Sequence, residues 1–397
     1  MRRCLVLLGA VVIVAGCADP VGPNAPPPRL NVQLAPTDVF ARFVAMGTSN
    51  SQGVQSAGIS AATQQAAWPA QVASRAGVTF SLPLVQDPGC GPPLLPPLAL
   101  DLVLVGAFGD DLVSAVMNTC APLRDGIVPP TNSVAISGAK AYDALYTTPE
   151  GEAAHNERAG RLYSRVLAPG QTQVTAMLAQ NPTFVSVELA ANEVLPASTG
   201  RVSAMTPFAD WVAVYDQIIN AVKSTGARAV LVGLPNNAAA FPSIRRAREF
   251  FYEWPYLLTL GIRMSSNCYF SSNYVFIPGF VLTLISRAPT TASCADVPGA
   301  ADYVLTSGDI ATINSRMAQM NAYIQAKANE NGYAYFSLSA LYDLPKGSFS
   351  LPDVLFSNNP FGPNISLDGV HPSAQGQTIL ADAAVQAINA RYGLGIP

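Results

Sequence analysis

Short apolar runs alternate with amphipathic stretches along most of this 397-residue chain. The alternation is typical of strand–helix repeats that build a parallel sheet covered on both faces. We therefore expect an α/β fold, a three-layer α/β/α sandwich with a mostly parallel sheet of about five strands. Five apolar runs predict those strands: residues 42–46, 134–137, 184–189, 228–234 and 333–338.

The spacing of apolar residues also predicts three helices. The first has a capping threonine, a proline at its first position, a buried stripe and a terminating glycine. These residues are Thr206, Pro207, Trp211, Val214, Ile218, Val222 and Gly226. The second carries its stripe on Ile313, Met317, Met320 and Ile324 and ends near Gly332. The third covers roughly residues 374–391.

Two regions interrupt this rhythm. Residues 81–130 are rich in proline and predict a long structured loop. Residues 236–306 contain an aromatic group and an apolar run, 275–285, that is broken by Pro278 and Gly279 and is too short to span a membrane. The second region is either a cap over one edge of the sheet or an extra packing element. As a cap, its aromatic side chains would contact an acyl chain or a sugar ring of the substrate. Its aromatic group is Phe250, Phe251, Tyr252, Trp254 and Tyr256.

The N-terminus is typical of an export signal, because Arg2 and Arg3 precede a short apolar run that ends at Gly16. The residues before Cys17 resemble the lipobox of bacterial lipoproteins, which implies a signal peptide over 1–16 and acylation of Cys17. An ordinary secretory signal is the alternative. A proline-rich linker, 17–37, would then hold the globular domain, 38–397, off a membrane. Ala18 permits sorting to the outer membrane, so we expect a lipid-anchored protein of the bacterial envelope.

Four cysteines remain once Cys4 is removed and Cys17 is acylated, and an even number in an exported chain predicts two disulfides. Three pairings are possible. The two local ones, Cys90 with Cys120 and Cys268 with Cys294, are the simplest. No close CxxC spacing occurs, so we expect no metal site.

Composition narrows the possible partners. Charged residues make up 12% of the chain and the formal net charge is −3, which becomes more negative if Arg2 and Arg3 are cleaved off. Nucleic acid is therefore excluded as an expected partner. A basic group, Arg245, Arg246 and Arg248, is either a solvated helix face or a contact for an anionic substrate group.

Only two histidines occur in the chain. His371 lies three residues after Asp368, a spacing that lets the carboxylate orient the imidazole ring. His155 lies in a charged segment typical of a solvated helix. Chemistry that needs an imidazole near neutral pH is therefore expected at His371.

Polar or glycine residues follow three of the predicted strands. Ser49 follows the first, where a tight turn before a helix would expose its hydroxyl, with Ser51 as a rival two residues on. Gly138 follows the second and Asn192 the third. Open parallel sheets bind ligands at the carboxyl ends of their strands, so we expect these groups to meet.

In these motifs the sequence resembles the SGNH hydrolase superfamily, also called the GDSL esterases. The matching stretches, 44–53, 69–76, 87–89, 138–143, 192–195 and 366–372, look like its envelope lipoprotein branch. Family members usually have Asp and Leu where this chain has Thr48 and Asn50, and Gly and Asp where it has Ala190 and Glu193.

The resemblance implies a cofactor-independent esterase that forms an acyl-serine intermediate. Ser49 would be the nucleophile, His371 the general base and acid, and Asp368 the group that orients the ring. The oxyanion hole would be formed by the N–H groups of Ser49 and Gly138 and by the Asn192 amide. The substrate would be a small-molecule, glycan or lipid ester. Two alternatives remain: an acyltransferase acting on glycan hydroxyls, and a non-catalytic envelope protein that binds a glycan, lipid or partner.

Overall fold

The computed structural model describes residues 35–98, 119–287 and 290–397. The predicted signal peptide, Cys17 and nearly all of the predicted linker therefore lie outside the described residues, as does the middle of the loop 81–130. The described residues form one compact unit. Its first helix begins at Pro36, so the last residues assigned to the linker already belong to the folded part.

A parallel sheet of four strands lies at the centre of the fold, in the order β1-β2-β3-β9. Its strands are β1 Phe43–Gly47, β2 Phe184–Glu188, β3 Arg228–Gly233 and β9 Ala334–Ser337. The first three strands are almost wholly buried, which explains why each appears in the sequence as a continuous apolar run. Four of the five predicted strands are thus confirmed within one or two residues.

The remaining predicted strand, 134–137, runs parallel to β1 but is reduced to a single bridge between Ala45 and Ser133. Three backbone hydrogen bonds join this segment to β1. Proline residues precede it and Gly138, with φ of 81°, turns the chain away after it, so little length is left for regular pairing. The segment extends the sheet at the β1 edge without forming a full strand.

Helices cover both faces of the sheet, which confirms the three-layer architecture. In the strands, alternate side chains enter two separate cores: Phe43 and Phe184 face one, Val44 and Val185 the other. Full burial of each such side chain stabilises the fold by about 1.5–3 kcal/mol. The described helices are α1 Pro36–Val39, α2 Ser49–Gln52, α3 Ala61–Gln65, α4 Trp68–Arg75, α5 Ala141–Tyr146, α6 Pro149–His155, α7 Glu157–Val166, α8 Gln173–Ala179, α9 Ala191–Val194, α10 Phe208–Ser224, α11 Ala247–Phe251, α12 Trp254–Thr259, α13 Asn267–Phe270, α14 Ile277–Arg287, α15 Ser307–Asn331, α16 Ser339–Tyr342, α17 Leu351–Phe356 and α18 Ala374–Tyr392.

The three predicted helices are α10, α15 and α18. In α15 the predicted stripe is buried and Gly332 ends the helix in the left-handed conformation. In α10 the prediction of a threonine cap is wrong, because Pro207 itself is the capping residue. Thr206 instead accepts a hydrogen bond from Lys140. Tyr215 is buried in the α10 stripe, where Val214 was predicted and is only half-buried.

The region 236–306 forms a small subassembly beside the main sheet. It contains an antiparallel sheet in the order β4-β6-β8 and a short pair, β5 with β7. These strands are β4 Ile244–Arg246, β5 Arg263–Met264, β6 Tyr274–Phe276, β7 Thr291–Ala292 and β8 Val304–Leu305. None of the described helices is long and apolar enough to cross a membrane.

Both local disulfide pairings are confirmed. Cys90 is bonded to Cys120 and closes the proline-rich loop, and Cys268 is bonded to Cys294 within the insertion. Each closes a loop of about 30 residues, for which chain entropy in the unfolded state predicts a stabilisation of roughly 3–4 kcal/mol.

Candidate active site

Ser49 is the first residue of α2, directly after β1, as the sequence predicted. We call residues 47–53 the serine turn. Its first residue, Gly47, has no room for a side chain, because a Cβ there would lie 2.7 Å from the Ser51 hydroxyl. Its last residue, Gly53, has φ of 87° and ends the short helix. The glycines at both ends of the serine turn allow the tight backbone turn that holds Ser49 at the carboxyl end of β1.

Asp368 and His371 form the pair that the sequence predicted. The Asp368 carboxylate lies 2.7 Å from His371 Nδ1 and also accepts from the backbone N–H groups of Val370 and His371. Because a carboxylate can only accept, Nδ1 carries the proton and Nε2 is left to take one from a partner. The backbone makes this turn through Gly369, which has φ of 71°.

Two opposing effects set the pKa of Asp368. Burial raises it, but the charge of His371 and the hydrogen bonds that it donates outweigh burial and lower the pKa to about 2. Asp368 is therefore ionised throughout the neutral range. A charged acceptor of this kind fixes the orientation of the imidazole ring and stabilises its protonated form.

Asn192 and Gly138, the other predicted oxyanion residues, are connected to each other. Asn192 Nδ2 donates to the carbonyl oxygen of Ala139, the residue after Gly138, at 2.9 Å. The neighbouring Glu193 accepts from the N–H of Ala141 at 2.8 Å. One of the two Nδ2 hydrogens of Asn192 is used in this way, which orients the amide and leaves the second hydrogen for a ligand.

Glu188, at the end of β2, is a residue that the sequence reasoning missed. Its side chain accepts from the N–H and hydroxyl of Thr48 and from the N–H and hydroxyl of Ser51, at 2.8–3.3 Å. Burial raises the pKa of Glu188, and these hydrogen bonds oppose the rise. The serine turn is therefore supported from beneath by a carboxyl group. These contacts join residues 137–140 positions apart, so no local sequence pattern revealed them.

The same hydrogen bonds assign a structural role to Ser51, the rival nucleophile. Its hydroxyl donates to Glu188 and the residue is 1% exposed, whereas Ser49, which is 7% exposed, lines the cleft. Ser51 thus has a structural partner on the inner side of the turn. Ser49 is the serine that a substrate can reach.

A second set of buried groups, from α16 and α18, also supports the serine turn. Gln377 of α18 is fully buried, donates to the carbonyl oxygen of Asn50 and accepts from the N–H of Trp68. The Tyr342 hydroxyl lies 2.7 Å from the carbonyl oxygen of Val370 and 3.4 Å from Asn50 Oδ1. Asn50, which replaces the leucine of the family, therefore takes part in a bridge between the serine turn and the His371 turn.

Ser49, Asn192 and His371 all line one cleft of about 720 Å³, counting the part that opens to solvent. Gly138 is outside this lining and joins it through the contact between Ala139 and Asn192, while Asp368 lies behind His371. The cleft is mainly apolar, and its walls come from the ends of β2, β3 and β9, from α15 and from the insertion. The apolar lining residues are Ala191, Val194, Leu195, Leu234, Pro235, Ala238, Phe241, Ile244, Phe276, Ile313, Met317, Leu338 and Val370.

The aromatic group predicted to form the cap does not line this cleft. Phe250 is buried in the core, and Phe251 and Trp254 line a separate surface depression. The contribution of the insertion comes instead from residues that the sequence reasoning did not select, such as Phe241 and Phe276. Sequence position alone could not show which apolar residues of the insertion face the sheet.

The remaining candidates lie elsewhere. His155 is the exposed last residue of α6 and is absent from the cleft lining, in agreement with a solvated helix. The expectation of a solvated face is wrong for Arg245, which is buried and donates to the carbonyl oxygens of Pro242 and Gly347. Burial lowers the Arg245 pKa. Arg246 and Arg248 lie over the rings of Tyr274 and Tyr269. Within the described ranges, no cluster of three or more potential metal ligands occurs.

The site combines a serine and an amide that follow parallel strands with an Asp–His pair in the turn before α18, an arrangement typical of hydrolases with an α/β fold. The chain belongs to the GDSL-like lipase/acylhydrolase family, whose model matches residues 43–384. The family acts on esters, and the family predicted from the sequence is thereby confirmed. A search of curated proteins gave no match.

Several solved structures are similar to this chain at low identity. A variant of an acetyl-xylooligosaccharide esterase from Geobacillus Stearmophilus is 11% identical, with a TM-score of 0.35, covering 88% of this chain and 94% of that one. An extracellular lipase from Streptomyces rimosus is 14% identical, with a TM-score of 0.35 and coverage of 88% and 98%. The esterase EstA from Pseudoalteromonas is 10% identical, with a TM-score of 0.31 and coverage of 88% and 97%. Family membership rests on the family match and not on these similarities.

Proposed function

We propose that this protein is a cofactor-independent serine esterase that cleaves carboxylic esters through an acyl-serine intermediate. The observation that carries the proposal is the joint position of Ser49 and His371 on one cleft, with Asp368 at 2.7 Å behind the imidazole. A serine, a ring nitrogen and an orienting carboxylate in this order are the components of nucleophilic acyl transfer.

In the first half of the reaction, Ser49 Oγ attacks the carbonyl carbon of the ester and its proton passes to His371 Nε2. The negative charge on the carbonyl oxygen is met by the N–H groups of Ser49 and Gly138 and by the free Nδ2 hydrogen of Asn192. Collapse of this intermediate breaks the bond to the alcohol oxygen, which takes the proton from His371. In the second half, water repeats these steps on the acyl-serine and releases the acid.

The departures from the family pattern do not remove a group that these steps need. Thr48, where family members have Asp, donates to Glu188, and Asn50 contacts Tyr342. Both replacements therefore have partners that fix the serine turn. This favours a working esterase over a non-catalytic binding protein.

The test is covalent labelling with an activated alkyl phosphonate together with hydrolysis of p-nitrophenyl esters. We expect labelling on a peptide containing Ser49, a burst of p-nitrophenol, and loss of both in Ser49→Ala. Ser51→Ala is the matched control, because it removes a neighbouring hydroxyl that points to Glu188, and it should still be labelled. Full activity in Ser49→Ala would disprove the mechanism. Transfer of the acyl group to added sugars in preference to water would identify an acyltransferase.

We also propose that the protein is exported and lipid-anchored through Cys17 in the bacterial envelope. The charged start, the apolar run and the lipobox-like residues before Cys17 support this. The two disulfides agree with an oxidising compartment. Metabolic labelling with palmitate should mark the wild-type chain and not Cys17→Ser. Equal labelling of both, or a wild-type chain that stays in the cytosol, would refute the anchor.

A further inference from the structure

The cleft beside Ser49 is divided into a polar end and an apolar end. The polar side chains lie near the reacting groups: Ser49, Asn50, Asn192, Tyr342 and His371. Beyond them the lining is aliphatic or aromatic, with Ser198 as an additional hydroxyl. No Asp, Glu, Lys or Arg occurs among the described residues that line it. A ligand that fills this space must therefore present a reactive polar group at one end and an uncharged apolar body at the other.

The connection between the two ends can be followed through side-chain contacts. Tyr342 contacts the residues next to Ser49 and His371 through its hydroxyl, and its ring stacks on Phe241 with centroids 4.5 Å apart. Phe241 leads into β4, where Ile244 is paired with Phe276 of β6. The insertion thus contributes Phe241, Ile244 and Phe276 to the apolar lining, and this part is continuous with the catalytic end.

This apolar end is held in shape by partly buried hydrogen bonds from the main fold. Asn321 of α15 both donates to and accepts from the backbone of Leu234, at 3.0 and 2.6 Å. Asn314 of the same helix accepts from the N–H of Ala238. Lys346 donates to the carbonyl oxygens of Ala239 and Ile244. Because the walls are fixed in advance, a ligand would not have to order them on binding.

The chemistry of this lining discriminates between an acyl chain and a sugar ring. A sugar would bring several hydroxyl groups into a space that offers few partners, and each unpaired group would be penalised. An alkyl chain has no polar groups to leave unpaired, and each methylene group that moves from water into the cleft contributes favourable binding free energy.

We propose that the cleft is an acyl-chain site and that the preferred substrates are esters of medium-length aliphatic acids, with the insertion determining the chain length. This inference rests on the proposed esterase function and adds the substrate class. The acid part of the ester would extend from Ser49 along Tyr342 and Phe241 towards Ile244 and Phe276. Acetyl esters would leave most of this surface in contact with water.

The experiment measures kcat/KM of the full chain on p-nitrophenyl esters from acetate to laurate, and on the isomers ethyl octanoate and octyl acetate. Each buried methylene group should raise kcat/KM about four-fold until the cleft is filled. Ethyl octanoate should be the better isomer. Octyl acetate as the better one would mean that the cleft takes the alcohol, and a flat or falling acyl series would overturn the proposal.

Two variants and a control locate the effect. Ala238→Phe narrows the cleft and should lower kcat/KM for octanoate at least ten-fold more than kcat/KM for acetate. Phe276→Ala removes one wall and should reduce the gain per methylene group. Leu258→Ala, at an exposed apolar position of the insertion outside the cleft, should change nothing. An unchanged chain-length profile in both cleft variants would refute the assignment.

The acyl-chain site can be tested separately from the esterase activity. If no ester is cleaved, calorimetry with decanoate on the wild type and Ala238→Phe still tests the cleft. Decanoate should bind the wild type and lose affinity at least ten-fold in Ala238→Phe. Hydrolysis of acetate that depends on Ser49, combined with no response to chain length, would leave the esterase intact and reject the acyl site.

Discussion

Replacing Asp368 with asparagine should impair both activity and stability, and the second effect should vanish in acid. The carboxylate accepts from His371 Nδ1, from two adjacent N–H groups of its own turn, and from the N–H of Ala57. Asparagine can keep one acceptor oxygen but has no charge. It can also present N–H groups to the imidazole, which favours the wrong tautomer and predicts a fall in kcat of about 10⁴-fold.

The stability effect follows from the shift in pKa. The pKa of Asp368 falls from an ordinary 3.8 to about 2 in the folded protein, and its side chain is only 11% exposed. Because the folded value is the lower one, the stabilisation is complete above pH 4 and is lost as pH falls towards 2. A difference of almost two units corresponds to about 2–3 kcal/mol at pH 7, of which less than about 1 kcal/mol remains at pH 2.

Urea unfolding of the wild type and Asp368→Asn, followed by tryptophan fluorescence at several pH values from 7 to 2, measures this directly. The difference in unfolding free energy should narrow through the window from pH 4 to pH 2. A difference that stays constant over that window would show that the charge of Asp368 is not its source. Wild-type kcat in the variant would reject the assigned orienting function.

Three further substitutions test the groups around Asp368 and Ser49. Asn192→Ala should lower kcat by about 10²–10³-fold, while the urea midpoint shifts little, because one oxyanion donor is lost. Glu188→Ala should destabilise the fold by about 2–4 kcal/mol in urea unfolding, because the buried donors of Thr48 and Ser51 lose their acceptor. Glu188→Gln keeps an oxygen at this place and should have a stability close to that of the wild type. Gln377→Leu should lower the unfolding free energy in urea by a similar amount and reduce turnover. The control Gln375→Ala, at an exposed position of the same helix, should change neither quantity. Equal effects of these two substitutions would contradict the structural role of the hydrogen bond from Gln377 to Asn50.

The central sheet was predictable because its strands are buried on both faces. In β1, β2 and β3 nearly every position is buried, so each strand is an apolar run whose limits the sequence shows within one or two residues. The strands of the insertion are two or three residues long, and no periodicity can appear over such a length. Their positions depend on packing against the main fold rather than on local pattern.

The candidate site was predictable for a similar reason. Ser49 and Asn192 follow strands whose ends are visible in the sequence, and a parallel sheet brings such ends together. His371 was identified instead by its spacing from Asp368. Glu188 and Gln377 were not predictable, because their contacts join residues 137 and 327 positions apart. A buried carboxyl or amide of this kind cannot be distinguished from a surface residue before the fold is known.

These supporting contacts explain how the serine turn tolerates residues that differ from the family pattern. In family members an aspartate follows the first glycine of the turn, whereas here Thr48 has a hydroxyl that donates to Glu188 from the neighbouring strand. A carboxyl group is thus present in the sheet next to the turn, where it accepts the N–H groups of Thr48 and Ser51. If this carboxyl group substitutes for the missing aspartate, then Thr48→Asp alone should place two carboxyl groups together and destabilise the turn. The double change Thr48→Asp with Glu188→Gln should restore stability. If the double variant instead loses as much unfolding free energy as the two single variants together, the compensation is refuted.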